Sequence, residues 1–254
     1  MNINLEHQQK AFEDIYKVEN IKRFEFHTTE DQFCRYLRDR RLNKALHYLH
    51  AHFSDECYNW KVLTVCGGVG GEGIFFLRAG FSDVTVSDFS SNSLEIAKRL
   101  DSKLETIQLN SEAIDLPDNA YDLVVVQDGL HHLPRPSLGL TEMLRVARKG
   151  VVVIEPYNSV VGNFIGTEWE EHDGAINFVY RWDRKMMEQT VKSYLLKNYQ
   201  KIRVFRIWDH NVVIGKIAGK FPGKVKLYMA KIIYACLRPF NFTGNMMVGI
   251  VLKK

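Results

Sequence analysis

Val62-Leu63-Thr64-Val65-Cys66-Gly67-Gly68-Val69-Gly70-Gly71-Glu72-Gly73 decides the fold of this chain. A β-branched run stops abruptly at a cluster of glycines, and an apolar helical pattern, Ile74-Phe75-Phe76-Leu77, follows at once. Strand, tight turn and helix start are therefore contiguous. Side chains are missing where the turn is sharpest, so a ligand can lie against bare backbone N–H groups. Such a turn points to a nucleotide-like cofactor.

Outward from this turn the pattern alternates. A strand at 61–66 leads to a helix at 71–79, and a strand at 83–88 leads to a helix at 91–101 with Ser90 or Ser91 as its N-cap. A strand at 104–109 precedes a loop holding Asp115, Pro117 and Asp118. The run at 121–127 is nearly continuous apolar, as a strand covered on both faces requires. A helix at 137–147 follows Pro134 and Pro136, and a strand at 150–155 ends at Glu155-Pro156. This alternation predicts an α/β fold with a doubly wound, Rossmann-like, mainly parallel sheet. Ligands in such sheets sit beyond the carboxyl ends of the strands, where strand order reverses. Ahead of the alternation, 5–18 and 29–53 show helical spacing, so residues 1–55 are expected to form an N-terminal helical cap on a core of 56–254. After it, 183–196 reads as a helix, and 200–208 and 245–252 read as strands.

Composition narrows the function classes. The 254 residues carry no repeat and no uncharged apolar stretch near the ~20 residues of a membrane span. Residues 1–12 are polar and charged and read as no secretory signal. Cys34, Cys57, Cys66 and Cys236 form no C-x-x-C pair and no zinc-spaced Cys/His set, so free thiols, no metal and a cytoplasmic location are expected. Lys and Arg exceed Asp and Glu by four (34 against 30). The stretch 209–242 alone carries +5, from Lys216, Lys220, Lys224, Lys226, Lys231 and Arg238 against Asp209, so the remainder carries −1. A short basic stretch without a binding module does not suit nucleic acid as a substrate.

Gly68-Val69-Gly70-Gly71-Glu72-Gly73 satisfies G-x-G-x-x-G, and Asp88 lies twenty residues past Gly68 at the end of the second strand. Both features fit a dinucleotide fingerprint, and S-adenosylmethionine-binding sheets use a similar device. The fourth strand adds more. Its lead-in, Asn110-Ser111-Glu112-Ala113-Ile114-Asp115-Leu116-Pro117-Asp118-Asn119-Ala120-Tyr121-Asp122, runs through the strand to Gln127-Asp128-Gly129-Leu130-His131-His132-Leu133. With Leu140-Thr141-Glu142-Met143-Leu144-Arg145-Val146 and the strand after it, residues 60–156 resemble the class I S-adenosylmethionine-dependent methyltransferases, in the ubiquinone-type (type 11) branch that acts on small molecules.

The resemblance implies a seven-stranded sheet with an antiparallel last strand, and S-adenosylmethionine as cofactor. It implies that Cys66, Gly67, Gly68 and Gly70 bring backbone against the methionine portion. Asp88 would take the ribose hydroxyls, and Phe89 would pack beside the adenine. Asn110 and Ser111 would address the adenine edge, and Gln127 would lie near the amino-carboxylate or the sulfonium. Three positions depart from the family pattern: Thr64 replaces an acid, Cys66 a glycine and Asn110 an aspartate. A cofactor-binding protein of the same fold that has lost catalysis and an NAD(P)-dependent dehydrogenase are the competing readings.

Methyl transfer needs alignment, exclusion of water and, for a hydroxyl acceptor, a base. His131 and His132 follow the fourth strand and Glu155 ends the fifth, so these three are the catalytic candidates for methylation of a small-molecule acceptor, at oxygen rather than nitrogen. Tyr157, Asn158, Trp169 and His172, in what reads as a loop after the fifth strand, are the candidate acceptor contacts. In the family the sheet closes with two adjacent antiparallel strands and a short connection. Here a basic, apolar insertion, 209–244, intervenes before the last strand. It is a candidate for a core-packed helix, a pocket lid, a dimer contact or a peripheral membrane contact.

Overall fold

The computed structural model describes residues 3–172 and 175–254. Helix α1 (Ile3–Ile15) is followed by a 3-10 stretch (Val18–His27) and by α2 (Gln32–Phe53), whose N-cap Asp31 accepts from the Phe33 and Cys34 N–H groups. The alternation then begins with β1 (Val62–Thr64), α3 (Gly71–Ala79), β2 (Val84–Asp88), α4 (Ser91–Leu100) and β3 (Glu105–Gln108). It continues with β4 (Tyr121–Gln127), α5 (Pro136–Val146) and β5 (Ala147–Pro156). Proline at the first turn of α5 costs nothing, because the N–H it lacks has no intrahelical partner there.

The sheet order is β3-β2-β1-β4-β5-β9-β8, with β8 (Tyr199–Ile207) and β9 (Met246–Lys253) at the far edge. Strands β1 to β5 pair in parallel, and β9 runs antiparallel to both neighbours. The order reverses between β1 and β4, which opens a crevice above their carboxyl ends. Period-two alternation along β4 sends Leu123 and Val125 into the core layer of α2 and α3, and Val124 and Val126 into the layer of α5 and α7 (Arg184–Leu195). Both layers are fully buried, which explains why β4 carries no polar alternation.

Three departures from the sequence reading have local causes. The first helix stops at Ile15 rather than 18, and the chain turns so that Tyr16 faces the glycine loop. The stretch read as a loop after β5 holds a short helix, α6 (Val160–Ile165), and an antiparallel hairpin of β6 (Trp169–His172) and β7 (Ala175–Phe178). Trp169 packs on Phe178 across that pair, with ring centroids 5.3 Å apart. The acidic Glu168-Trp169-Glu170-Glu171 run hid this strand pattern. The insertion between β8 and β9 is two helices, α8 (Asn211–Ala218) and α9 (Val225–Leu237), followed by a 3-10 turn. Among the described residues no helix is long and apolar enough to cross a membrane.

Candidate active site

At the end of β1 the backbone leaves the sheet through Cys66 at φ 50°, Gly68 at φ 49° and Gly70 at φ 84°. Such angles suit glycine, and at Cys66 they cost about 1–2 kcal/mol. A Cβ on Gly67 would lie 2.7 Å from Thr64 Oγ1 and 2.8 Å from Val86 Cγ1, so the turn must press bare backbone onto β2. The Gly67 N–H donates to the Ser87 carbonyl at 2.8 Å. The Gly68 and Ser90 N–H groups each donate to a carboxylate oxygen of Asp88 at 2.9 Å. Burial holds the Asp88 pKa above the usual carboxylate value despite these bonds.

A partly enclosed crevice opens above this turn. Cys66, Gly68, Asp88, Phe89, Asn110, Ser111 and His132 line it, as the sequence reading expects of a shared site. Gly67 and Gly70 shape the turn from behind rather than facing the space. Asn110 accepts the Glu112 N–H at 2.9 Å, and Ser111 Oγ meets the buried Cys66 thiol at 3.2 Å. Burial pushes that thiol's pKa well up, so it stays protonated.

One wall is unexpected. Gln8, Phe12 and Tyr16 of the N-terminal segment line the crevice. The Phe12 ring lies 5.6 Å from Phe89 and 5.8 Å from His132, both edge-on, and is stacked on Tyr16 at 5.9 Å. Burial, then the charges of Asp88 and Glu72, push the Tyr16 hydroxyl up to about 12. Glu13 anchors this wall, accepting from the Ser91 N–H at 2.7 Å and the Asn92 N–H at 3.1 Å at the start of α4. The i, i+4 pair Phe12/Tyr16 was the available sequence signal, but it is indistinguishable from a core-facing stripe.

At the end of β4, Gln127 turns away from the crevice and donates to Glu72 at 3.0 Å. Burial raises Glu72 to about 7. Asp128, at φ 53°, and Gly129 line the space instead. Arg41 of α2 holds the Asp128 carboxylate through both terminal nitrogens, at 2.8 and 2.5 Å, and pairs with Asp209 at 3.1 Å.

Glu155, at the end of β5, is fully buried and has three donors. The Gly129 and Leu130 N–H groups reach one oxygen at 2.9 and 2.7 Å, and His131 Nδ1 meets the other at 2.7 Å. Burial opposes a charge on His131, but the Glu155 carboxylate outweighs it and raises the imidazole above its usual 6.5. His131 itself lies behind the crevice. His132 lines it, with its ring 4.2 Å from that of His131 and its Nδ1 3.1 Å from the Asn177 amide. Glu170 of β6 lies 3.8 Å from His131 Nε2 and 4.0 Å from His132 Nδ1. These three side chains bring ligand-type atoms within 4.8 Å of one another, a grouping that no Cys/His spacing announces.

A raised folded-state pKa means that His131 binds its proton more tightly in the native chain. The stabilisation this gives is present below the unfolded value and fades as pH rises through the folded one. Glu155→Gln keeps an oxygen for the two N–H donors but removes the charge. The His131 ring, followed by NMR titration, is expected to titrate above 6.5 in the parent chain and to move down in the variant. An unmoved midpoint would separate Glu155 from His131's ionisation.

The expected acceptor contacts lie apart from this space. Tyr157 sits under the Arg206 guanidinium (4.2 Å to the ring centroid) in a groove with Arg184 and Phe205. Asn158 lines a second groove with Asn163, Glu168 and Phe178, and Trp169 is mostly exposed on the β6–β7 hairpin. The His172 side chain falls outside the described residues.

Whether the donor set fits S-adenosylmethionine is decided by its chemistry. The crevice offers bare backbone at Gly68, the buried Asp88 carboxylate, apolar Phe89, Leu109 and Leu133, and the polar edges of Asn110 and Ser111. Those groups suit the chemistry of an amino acid, a ribose diol and an adenine. Thr64 Oγ1, at the position where the family carries an acid, is buried without a hydrogen-bond partner. It replaces a charge and leaves the crevice lining intact.

Residues 64–154 match the family described as methyltransferase domain. A demethylmenaquinone methyltransferase of Staphylococcus aureus (strain MRSA252) is 31% identical over 160 residues, which cover 59% of this chain and 60% of that protein. The chain thus spans about three fifths of that relative's length. Among solved structures, the [4+2]-cyclase SpnF superposes with a TM-score of 0.54 at 16% identity, over 82% of this chain and 80% of SpnF. Phosphoethanolamine N-methyltransferase 2 of Haemonchus contortus, solved with S-adenosyl-L-methionine, gives 0.54 at 15% identity, over 83% of this chain and 52% of that one. At these identities the structural neighbours speak for the fold alone.

Proposed function

Residues 64–154 are a class I S-adenosylmethionine-dependent methyltransferase domain of the type 11 branch, and from that premise we propose that the chain methylates a hydroxyl-bearing small molecule, at oxygen rather than nitrogen. The observation that carries this reading is the joining of two arrangements in one crevice. The Asp88-braced glycine turn and His132, beside the Glu155–His131 pair, line the same crevice.

When bound, S-adenosylmethionine supplies a methyl group already activated by a positive sulfur. In this reading Cys66 and Gly68 present backbone to its amino acid end, with Gly67 and Gly70 shaping the turn behind them. Asp88 takes the ribose diol, and Phe89, Asn110 and Ser111 hold the base. Phe12 and Tyr16 close the crevice and keep water out. His132 takes the acceptor's proton. Glu155 fixes His131 behind it, and Glu170 offers a negative charge beside the imidazolium that forms. The Asn177 amide presents either an acceptor or a donor to His132 Nδ1 by a half-turn, so it can hold either tautomer. Residues 1–55 act as the cap of the site and 56–254 as its core.

The relative named demethylmenaquinone methyltransferase favours a hydroxyl-bearing quinol as acceptor; removal of a ring hydroxyl proton makes ring carbons nucleophilic as well as the oxygen, and methylation of demethylmenaquinol itself would fall on carbon. A second reading, binding of the cofactor without methyl transfer, is favoured by Thr64 in place of an acid. Incubation with methyl-labelled S-adenosylmethionine and a panel of ring hydroxyl acceptors, demethylmenaquinol included, separates the two. The proposal expects a labelled methyl ether from at least one hydroxyl acceptor and no labelled amine; label on a ring carbon alone would overturn the choice of oxygen. Labelled amines alone would overturn the choice of atom, and tight binding with no product from any acceptor would favour the second reading.

A further inference from the structure

The insertion between β8 and β9 is amphipathic in both of its helices. In α8 the buried positions are Ile214 and Ala218, four apart, packed with Phe33 of α2. On the other side Val212, Val213 and Ile217 are 65%, 44% and 47% exposed, with exposed Lys216 and Lys220 interleaved. In α9 the buried pair is Ala230 and Tyr234. The opposite stripe, Val225, Tyr228 and Ile232, has i, i+3, i+7 spacing and is 45%, 60% and 53% exposed between Lys224 and Lys231. Phe221 between the helices, and Phe240 and Phe242 after them, are exposed as well.

Single exposed apolar side chains need no explanation, but this concentration does. Among the described residues, nine of the seventeen exposed large hydrophobic side chains fall within 212–242. The charges around them have one sign. No Asp or Glu occurs after Asp209. Lys226 is paired with Asp31 at 2.8 Å, whereas Lys216, Lys220, Lys224 and Arg238 make no ion pair among the described residues.

We propose that the α8–α9 hairpin seats this protein on an anionic lipid surface. Valine, isoleucine, tyrosine and phenylalanine side chains would enter the headgroup boundary while the lysines between them reach lipid phosphates. The single charge sign selects this occupant. A second copy of the chain would bring like charges face to face, whereas an acidic bilayer complements them at every lysine. The helices, 8 and 13 residues long, extend about 12 and 20 Å, too short to cross a ~30 Å core, so they lie along the surface.

The test is flotation of the whole chain with vesicles, and it reads binding rather than catalysis, so it stands apart from the methyl-transfer reading. Vesicles containing phosphatidylglycerol are expected to carry the protein at low salt, and pure phosphatidylcholine vesicles to leave it behind. Raising NaCl to about 0.5 M should weaken the binding at least tenfold. The triple variants Ile217→Ser/Tyr228→Ser/Ile232→Ser and Lys216→Glu/Lys220→Glu/Lys231→Glu should each lose at least about tenfold in partitioning with unchanged thermal melting, since all six side chains are exposed. Absence of binding to the anionic vesicles would overturn the proposal. So would undiminished binding by both variants, or a concentration-dependent dimer in sedimentation velocity that the serine variant dissolves.

Discussion

Asp88→Ala is expected to weaken S-adenosylmethionine binding about a hundredfold or more, the largest loss of affinity at any single position. The carboxylate performs two tasks at once. It ties the Gly68 and Ser90 N–H groups at 2.9 Å each, which fixes the glycine turn against the start of α4, and it faces the crevice where a ribose diol would lie. Alanine leaves the buried Ser90 N–H unpaired, at about 1–3 kcal/mol, and frees the half-buried Gly68 N–H. The turn then loses its brace as well as its sugar contact. Asp88→Asn is the informative companion, because its one carbonyl oxygen can satisfy a single backbone donor and it carries no charge. Calorimetric titration of both variants, with thermal melting alongside, should show a graded loss, alanine the worse. An alanine variant that melts like the parent and binds within about threefold of it would remove Asp88 from the cofactor site.

His132→Ala is expected to lower turnover at least tenfold, and about a hundredfold if proton removal limits the rate, with cofactor affinity unchanged. His132 is the imidazole that lines the crevice, while His131 sits behind it on the buried Glu155. Loss of a ring that touches Phe12 edge-on also opens space, so exogenous imidazole has room to enter. Steady-state kinetics with and without added imidazole measure this directly. Partial rescue supports proton transfer. Turnover equal to the parent would take His132 out of the chemistry and leave Glu170 or an acceptor already ionised at working pH.

The order of strands and helices from β1 to β5 was legible because each carries a local signal. The glycine turn, the apolar run at 121–127 and the proline pair before α5 do not depend on distant residues. The set Cys66, Gly68, Asp88, Asn110 and Ser111 was legible for the same reason, since all lie within a few residues of a strand end. What could not be read were partnerships across the fold. Glu155 and His131 meet across twenty-four positions because β4 and β5 are neighbours, and nothing in either local stretch announces the pairing. Phe12 and Tyr16 look like any core-facing stripe until the chain turn after Ile15 lays them over the glycines. Gln127 was placed at the crevice by the family resemblance. The left-handed backbone at Asp128 reverses which of the two faces the crevice, and Arg41, from α2, holds it there. The β6–β7 hairpin was masked by its acids, one of which, Glu170, stands beside both histidines.

The central claim is that the crevice above β1 and β4 takes S-adenosylmethionine. Calorimetric titration of the purified chain with S-adenosylmethionine and, separately, with NAD tests it most directly. The account predicts saturable one-to-one binding of the sulfonium compound, weakened about a hundredfold or more in Asp88→Ala, and no heat with NAD. Saturation by NAD with silence toward S-adenosylmethionine would contradict it.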